Sequence, residues 1–185
     1  MIFMVDSFVN KINNRNHPKD SNVSNNSNET QKLAQRYGLT GLIPFVAAAL
    51  LVWVLPEKTG LLISGFFIYY SAVILSFFSG ILWCIGLQVI SPTDDNHEDE
   101  DDSRLNQHKK YFTISIVFTL LAWLSILIPL TGGLLLLGTG FIVIRQFERK
   151  YLTSVYPEWF TQMRDLLTRV VFATHLSLFV FVLQI

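Results

Sequence analysis

The chain has 185 residues, is 51% hydrophobic with 15 Phe and 4 Trp, and balances 14 basic against 14 acidic side chains. Its apolar residues fall in long uncharged blocks, which excludes a soluble domain that hides apolar surface by amphipathic periodicity. The lone cysteine, Cys84, excludes an intramolecular disulfide.

Residues 1–36 are read as a disordered, Asn-rich cytoplasmic tail. Eight Asn fall between Asn10 and Asn28, a composition that buries too little apolar surface to order itself. Met1 to Val9 is apolar but short and interrupted by Asp6, and no basic stretch precedes it, so it does not read as a secretory signal. The sequons at Asn22, Asn25 and Asn28 carry no weight on the cytoplasmic side.

Residues 37–185 are read as a membrane domain of five helices, because a helix needs roughly 20 apolar residues to cross the hydrocarbon core. The first span is placed at 38–55, with Pro44 in its first two turns and Pro56, Glu57 and Lys58 ending it. The second is placed at 61–88. It has no charge and is long enough to tilt or to reach the interface. Residues 91–110 then form an acidic loop. Tyr111 to Ile144 is uncharged throughout, too long for one span. Pro129 and the pair Gly132-Gly133 near its middle read as a tight turn, giving spans at 111–128 and 131–150. The last span is placed at 166–184, with Pro157 opening the helix that leads into it.

Charge fixes the parity. With five spans, Lys11, Arg15, Lys19, Lys32 and Arg36 share one side with Arg104, Lys109 and Lys110. Arg145, Arg149, Lys150, Arg164 and Arg169 join them, and only Lys58 lies opposite. A single crossing between Tyr111 and Ile144 would split the cations almost evenly. The positive-inside bias therefore selects the hairpin, with the N-terminus cytoplasmic and the C-terminus periplasmic.

Four features invite a functional reading. Ala72, Ser76, Gly80 and Cys84 recur every four residues, a small-residue stripe read as a helix-packing seam. Asp94 to Asp102 holds seven acids with His97. It lacks the turn Gly and terminal Glu of an EF-hand and reads as solvated loop rather than a metal site. His175 is the ionisable group well inside a span, and it reads as a hydrogen-bonded packing residue rather than a proton site, since one His makes no relay. Arg145, Arg149, Lys150, Trp159, Arg164 and Arg169, beside Tyr151, Tyr156 and Phe160, read as an interfacial anchoring collar. A patch held against the bilayer does not suit nucleic acid. The chain contains no Gly-rich phosphate loop, CxxC pair, HExxH or GxSxG motif.

Three segments together are similar to a known family. They are Tyr37-Gly38 with the run from Gly41 to Phe45, the run from Tyr70 to Phe77 with Ser79, Gly80 and Trp83, and the run from Tyr156 to Phe160 with Arg164, Leu167 and Thr168. The chain resembles, over roughly residues 37–183, the uncharacterised bacterial membrane family labelled domain of unknown function 3429. Where that family often has a His before the second-span tryptophan, this chain has Leu82. The resemblance implies a multi-span helical membrane protein and supplies no activity.

The resulting expectation is an all-α, five-span bundle in the bacterial inner membrane, with no catalytic residues, no cofactor and no metal. Its function is expected to be non-catalytic: structural, assembly or interaction. The alternative is a small oligomeric transporter or channel for a neutral or apolar solute. The expected partners are the lipid bilayer and, through small-residue helix faces, a second copy or another membrane protein.

Overall fold

The computed structural model describes residues 21–88, 98–152 and 156–185. Among these, every regular element is helical: α1 Ser21–Thr40, α2 Ile43–Val54, α3 Glu57–Gln88, α4 Glu98–Leu127, α5 Leu130–Tyr151 and α6 Glu158–Leu183. The chain divides into two compact units, residues 1–36 and 37–185. Five stretches are long and apolar enough to span a bilayer: Gln31–Val54, Glu57–Leu87, His108–Leu127, Leu130–Tyr151 and Glu158–Leu183.

In the first unit, residues 21–36 are helical, not the disordered tail expected. Strong helix formers in the run Glu29-Thr-Gln-Lys-Leu-Ala-Gln-Arg36 outweigh the Asn-rich start. Residues 1–20 of that expectation lie outside the described residues.

In the second unit the first span is broken rather than kinked. Pro44 cannot donate to the carbonyl of Thr40, so α1 ends and Pro44 sits in the first turn of α2. The Tyr70 hydroxyl donates to the Gly41 carbonyl at 2.9 Å, supplying a partner at the break. The helix of the second span ends at Gln88, as expected, but begins at Glu57, four residues before the expected start, where an acid suits a helix N-terminus.

Two expectations need correction here. Residues 98–110, expected in a loop, are the first turns of α4. Residues 91–97 lie outside the described residues. Gly132 and Gly133, expected in the turn, are helical. Pro129 alone caps α5. A Cβ on Gly133 would lie 2.6 Å from the Ser125 carbonyl oxygen and 2.9 Å from Ile68. That glycine is therefore needed where α5 crosses α4 and α3 closely.

α3 packs against α2, α4 and α5, and α6 closes the bundle against α2 and α5. The core runs through Phe45, Phe67, Leu75, Leu137, Phe141 and Leu178. The expected seam is displaced around α3. Ala72 is buried, but Ser76 is half-buried and Gly80 and Cys84 are exposed. The observed contact line is Ser64, Ile68, Ser71, Leu75, Ser79, Leu82 and Gly86, all buried. Steps of four residues drift about 40° each on an α-helix, so the line from Ala72 to Cys84 winds off the contact face. Steps of four interspersed with steps of three hold the observed line on it.

Side-chain hydrogen bonds reinforce that line. The Ser79 hydroxyl donates to the Ser115 carbonyl, and the Ser115 hydroxyl donates back to the Ser79 carbonyl at 2.8 Å. His108 Nδ1 lies 3.0 Å from the Gly86 carbonyl. Such polar contacts join α3 to α4 inside the bundle.

Candidate functional site

The α5–α6 hairpin concentrates charge at one end of the bundle. On α5, Arg145, Glu148 and Arg149 share a face through i, i+3 and i+4 spacing. On α6, Thr161, Arg164 and Asp165 do the same. Pro157 at the N-cap of α6 starts that helix early enough to bring its first turns against the last turns of α5.

The charges interlock. Arg164 donates from Nη2 to Glu148 Oε1 at 2.5 Å and from Nε to Oε2 at 3.2 Å. Arg145 Nη1 reaches the same Oε2 at 3.3 Å, its Nε donates to Asp165 Oδ1 at 2.6 Å, and its Nη2 donates to the Thr161 carbonyl at 3.1 Å. Arg149 completes the chain on Asp165 through Nε at 3.1 Å and Nη2 at 2.6 Å. Each carboxylate is thus shared by two guanidiniums. Arg145, Glu148 and Arg164 are buried, at 4%, 1% and 2% exposure. At such depth a charge is tolerated only when paired and hydrogen-bonded. The Arg164 guanidinium also stacks on Phe78, 3.7 Å from the ring centroid, a cation–π contact to α3.

Two buried polar atoms in this region have no partner: Tyr156 Oη and Arg164 Nη1. Burial, reinforced by the Glu148 carboxylate, pushes the Tyr156 hydroxyl up to about 12, so it stays protonated at neutral pH. Nearby, Lys110 sits 3.5 Å over the Tyr151 ring, tying α4 to the end of α5.

The expected anchors divide accordingly. Arg149, Lys150 and Arg169 are exposed and Trp159 is half-buried. Arg145 and Arg164 are not lipid-facing anchors. Their guanidiniums turn inward because Glu148 and Asp165 on the facing helix turns offer charge-assisted hydrogen bonds at close range. Glu148 and Asp165 were not singled out from sequence, although their spacing from the arginines was visible.

His175 lies deeper, 2% exposed. Its Nδ1 is 2.7 Å from the Val171 carbonyl and its Nε2 is 2.8 Å from the Ser71 hydroxyl. A carbonyl only accepts, so Nδ1 carries a proton, and the Ser71 hydroxyl can donate to Nε2. Phe45, Phe67 and Phe141 surround the ring. Gly138 on α5 lets it fit: a Cβ there would be 3.3 Å from His175 Cβ.

An apolar pocket of about 150 Å³ opens between the α1–α2 break, α3 and α6. Gly41, Phe45, Phe77, Phe78 and Leu167 line it, so the three sequence segments quoted above meet there. Among the described residues, no three His, Cys, Asp or Glu side chains converge on a position that would hold a metal.

Five apolar spans stitched by internal polar contacts define a multi-pass helical membrane protein. The chain belongs to the family described as protein of unknown function (DUF3429), whose model matches residues 30–180. It is also similar to Transmembrane protein 69 of Xenopus tropicalis, 32% identical over 146 residues, which is 76% of this chain and 51% of that protein. The chain therefore spans about half the length of the curated relative it matches. No solved structure matches.

Proposed function

We propose that this chain is a non-catalytic structural, assembly or interaction protein of the bacterial inner membrane, with its N-terminus in the cytoplasm and its C-terminus in the periplasm. One observation carries the reading: four of the buried polar side chains bond across from one helix to the next. Arg164 is held by Glu148, Arg145 by Asp165, His175 by Ser71, and Ser79 by Ser115. Such contacts hold a shape. The orientation is supported by the thirteen cations that five spans collect on one side. It puts the charge cluster in the cytoplasmic leaflet.

A partner would meet α3 on its outward face. A Cβ on Gly80 would touch nothing within 4 Å, and Cys84 one turn on is exposed. Small residues on an open face admit a second helix at close range. The test is bis-maleimide cross-linking at Cys84 in native membranes, with Cys84→Ser as control, followed by a pull-down in mild detergent. A cross-linked second copy or membrane-protein neighbour is expected. A chain that stays monomeric and partnerless would sink the reading.

A further inference from the structure

A cleft of about 240 Å³ lies between α5 and α6. Its shallow end carries Arg145, Arg149, Asp165 and Arg169, and its deep end is closed by Ile142 and Phe172. The polarity therefore changes along the helix axes. A hydrocarbon core of about 30 Å takes up roughly the last 20 residues of α6 and the first 20 of α5. That sets Arg149 and Asp165 at the boundary between hydrocarbon and headgroups, with Arg169 little more than one turn below it, about 7 Å, where its long side chain can snorkel up to the headgroups. Ile142 and Phe172 fall inside the hydrocarbon, and Phe172 is 38% exposed, open to the lipid side.

The charge at the shallow end does not cancel. The cleft holds three guanidiniums and one carboxylate, and both oxygens of Asp165 already receive hydrogen bonds from Arg145 and Arg149. Arg145 also leans on Glu148, but Glu148 is shared with Arg164, which lies behind the cleft wall. Counting all six groups still leaves two excess positive charges. Arg169 is exposed and has no carboxylate within ion-pair distance among the described residues. A cationic mouth over an apolar floor, at headgroup depth, matches a molecule with an anionic phosphate above acyl chains.

We infer that this α5–α6 cleft binds one anionic phospholipid, its phosphate on Arg169 and Arg149 and the upper part of an acyl chain along Ile142 and Phe172. This goes beyond the anchoring collar expected from sequence, which needs only diffuse attraction. It does not depend on which leaflet the charged end occupies, nor on the partner face of α3. Ordering one lipid also gives the cationic mouth the counter-charge that a low-dielectric site otherwise lacks.

The test is lipid retention by the full chain. Protein is reconstituted into nanodiscs of phosphatidylglycerol and phosphatidylcholine mixed equally, extracted gently and weighed by native mass spectrometry. Arg169→Gln removes the exposed guanidinium without touching the Asp165 pairs. Lys150→Gln removes an equal charge outside the cleft. One retained phosphatidylglycerol is expected on the parent chain and on Lys150→Gln. Occupancy on Arg169→Gln should fall on the order of tenfold, the weight of one charge-assisted hydrogen bond. Phosphatidylglycerol, but not inorganic phosphate, should raise the melting temperature, since only a ligand bound to the folded state stabilises it. Equal loss in both variants would show general surface attraction and overturn the site. So would unchanged retention in Arg169→Gln, or stabilisation by inorganic phosphate equal to that by the lipid.

Discussion

Arg164 on α6 grips Glu148 on α5 through two parallel hydrogen bonds, both residues almost fully buried. A forked guanidinium–carboxylate pair at that depth holds the hairpin in one register. Glu148→Gln would leave Arg164 and Arg145 without their shared anion. The expected loss is about 3–5 kcal/mol, read as a lowered melting temperature in detergent. The double change Glu148→Leu with Arg164→Leu should recover much of it, because the buried pair leaves together and Arg145 keeps Asp165. A double variant no better than Glu148→Gln would contradict this account.

Close helix approach should be as sensitive. Gly133→Ala places a methyl 2.6 Å from the Ser125 carbonyl oxygen, so α5 must move off α4. A destabilisation of about 1–3 kcal/mol is expected. Gly65→Ala meets nothing within 4 Å and should be neutral or slightly stabilising through helix propensity. Thermal unfolding of the two variants side by side checks the pair.

Tyr156 sets an alkaline limit. Its folded pKa is about 12 against an ordinary value of 10.0. The folded state binds the proton more tightly than the unfolded state, so the contribution is complete below pH 10 and is lost as pH rises toward 12. Tyr156→Phe deletes a buried hydroxyl that has no partner. It should cost little at neutral pH and should flatten the fall in stability between pH 10 and 12. A variant that loses stability at neutral pH would point to a hydrogen bond that this geometry does not contain.

Parity can be read with reporters. Five spans and a cytoplasmic N-terminus put Ile185 in the periplasm, so an alkaline phosphatase fused there should be active. A fusion in the segment between α5 and α6 should be inactive. The reverse pattern would invert the orientation, and two alike would remove a span.

Much of the fold was legible because it follows from composition along one dimension. Span number and the hairpin at Pro129 came from uncharged length and from counting cations. The helix ends were less legible. Residues 158–165 read as a lead-in helix outside the last span because they are charged, yet they are continuous with it as the first turns of α6. Their charges are cancelled by α5, which is visible only once the two helices lie side by side. The same blindness hid the charge cluster: the positive-inside rule counts Lys and Arg and ignores Glu148 and Asp165. The seam on α3 was misplaced for a different reason. Residue size marks where a helix can approach, whereas rotation about the axis decides where it does. His175 was legible as a buried polar residue, but its partner, Ser71, lies 104 positions away.

The Glu148–Arg164 pair also bears on how the chain is made. The partners are 16 residues apart and sit on successive helices. While α5 is leaving the translocon, Arg164 has yet to follow, and Glu148 has only its single 3.3 Å bond to Arg145, so a carboxylate at the edge of the hydrocarbon is only partly compensated, which is costly. The last hairpin is therefore expected to partition as one unit, with α5 waiting at the translocon wall until the first turns of α6 emerge. A nascent chain truncated after Pro157 should stall with α5 unsettled and prone to degradation. On that account the cluster acts as an assembly checkpoint during synthesis, before it serves as a fastening in the finished bundle.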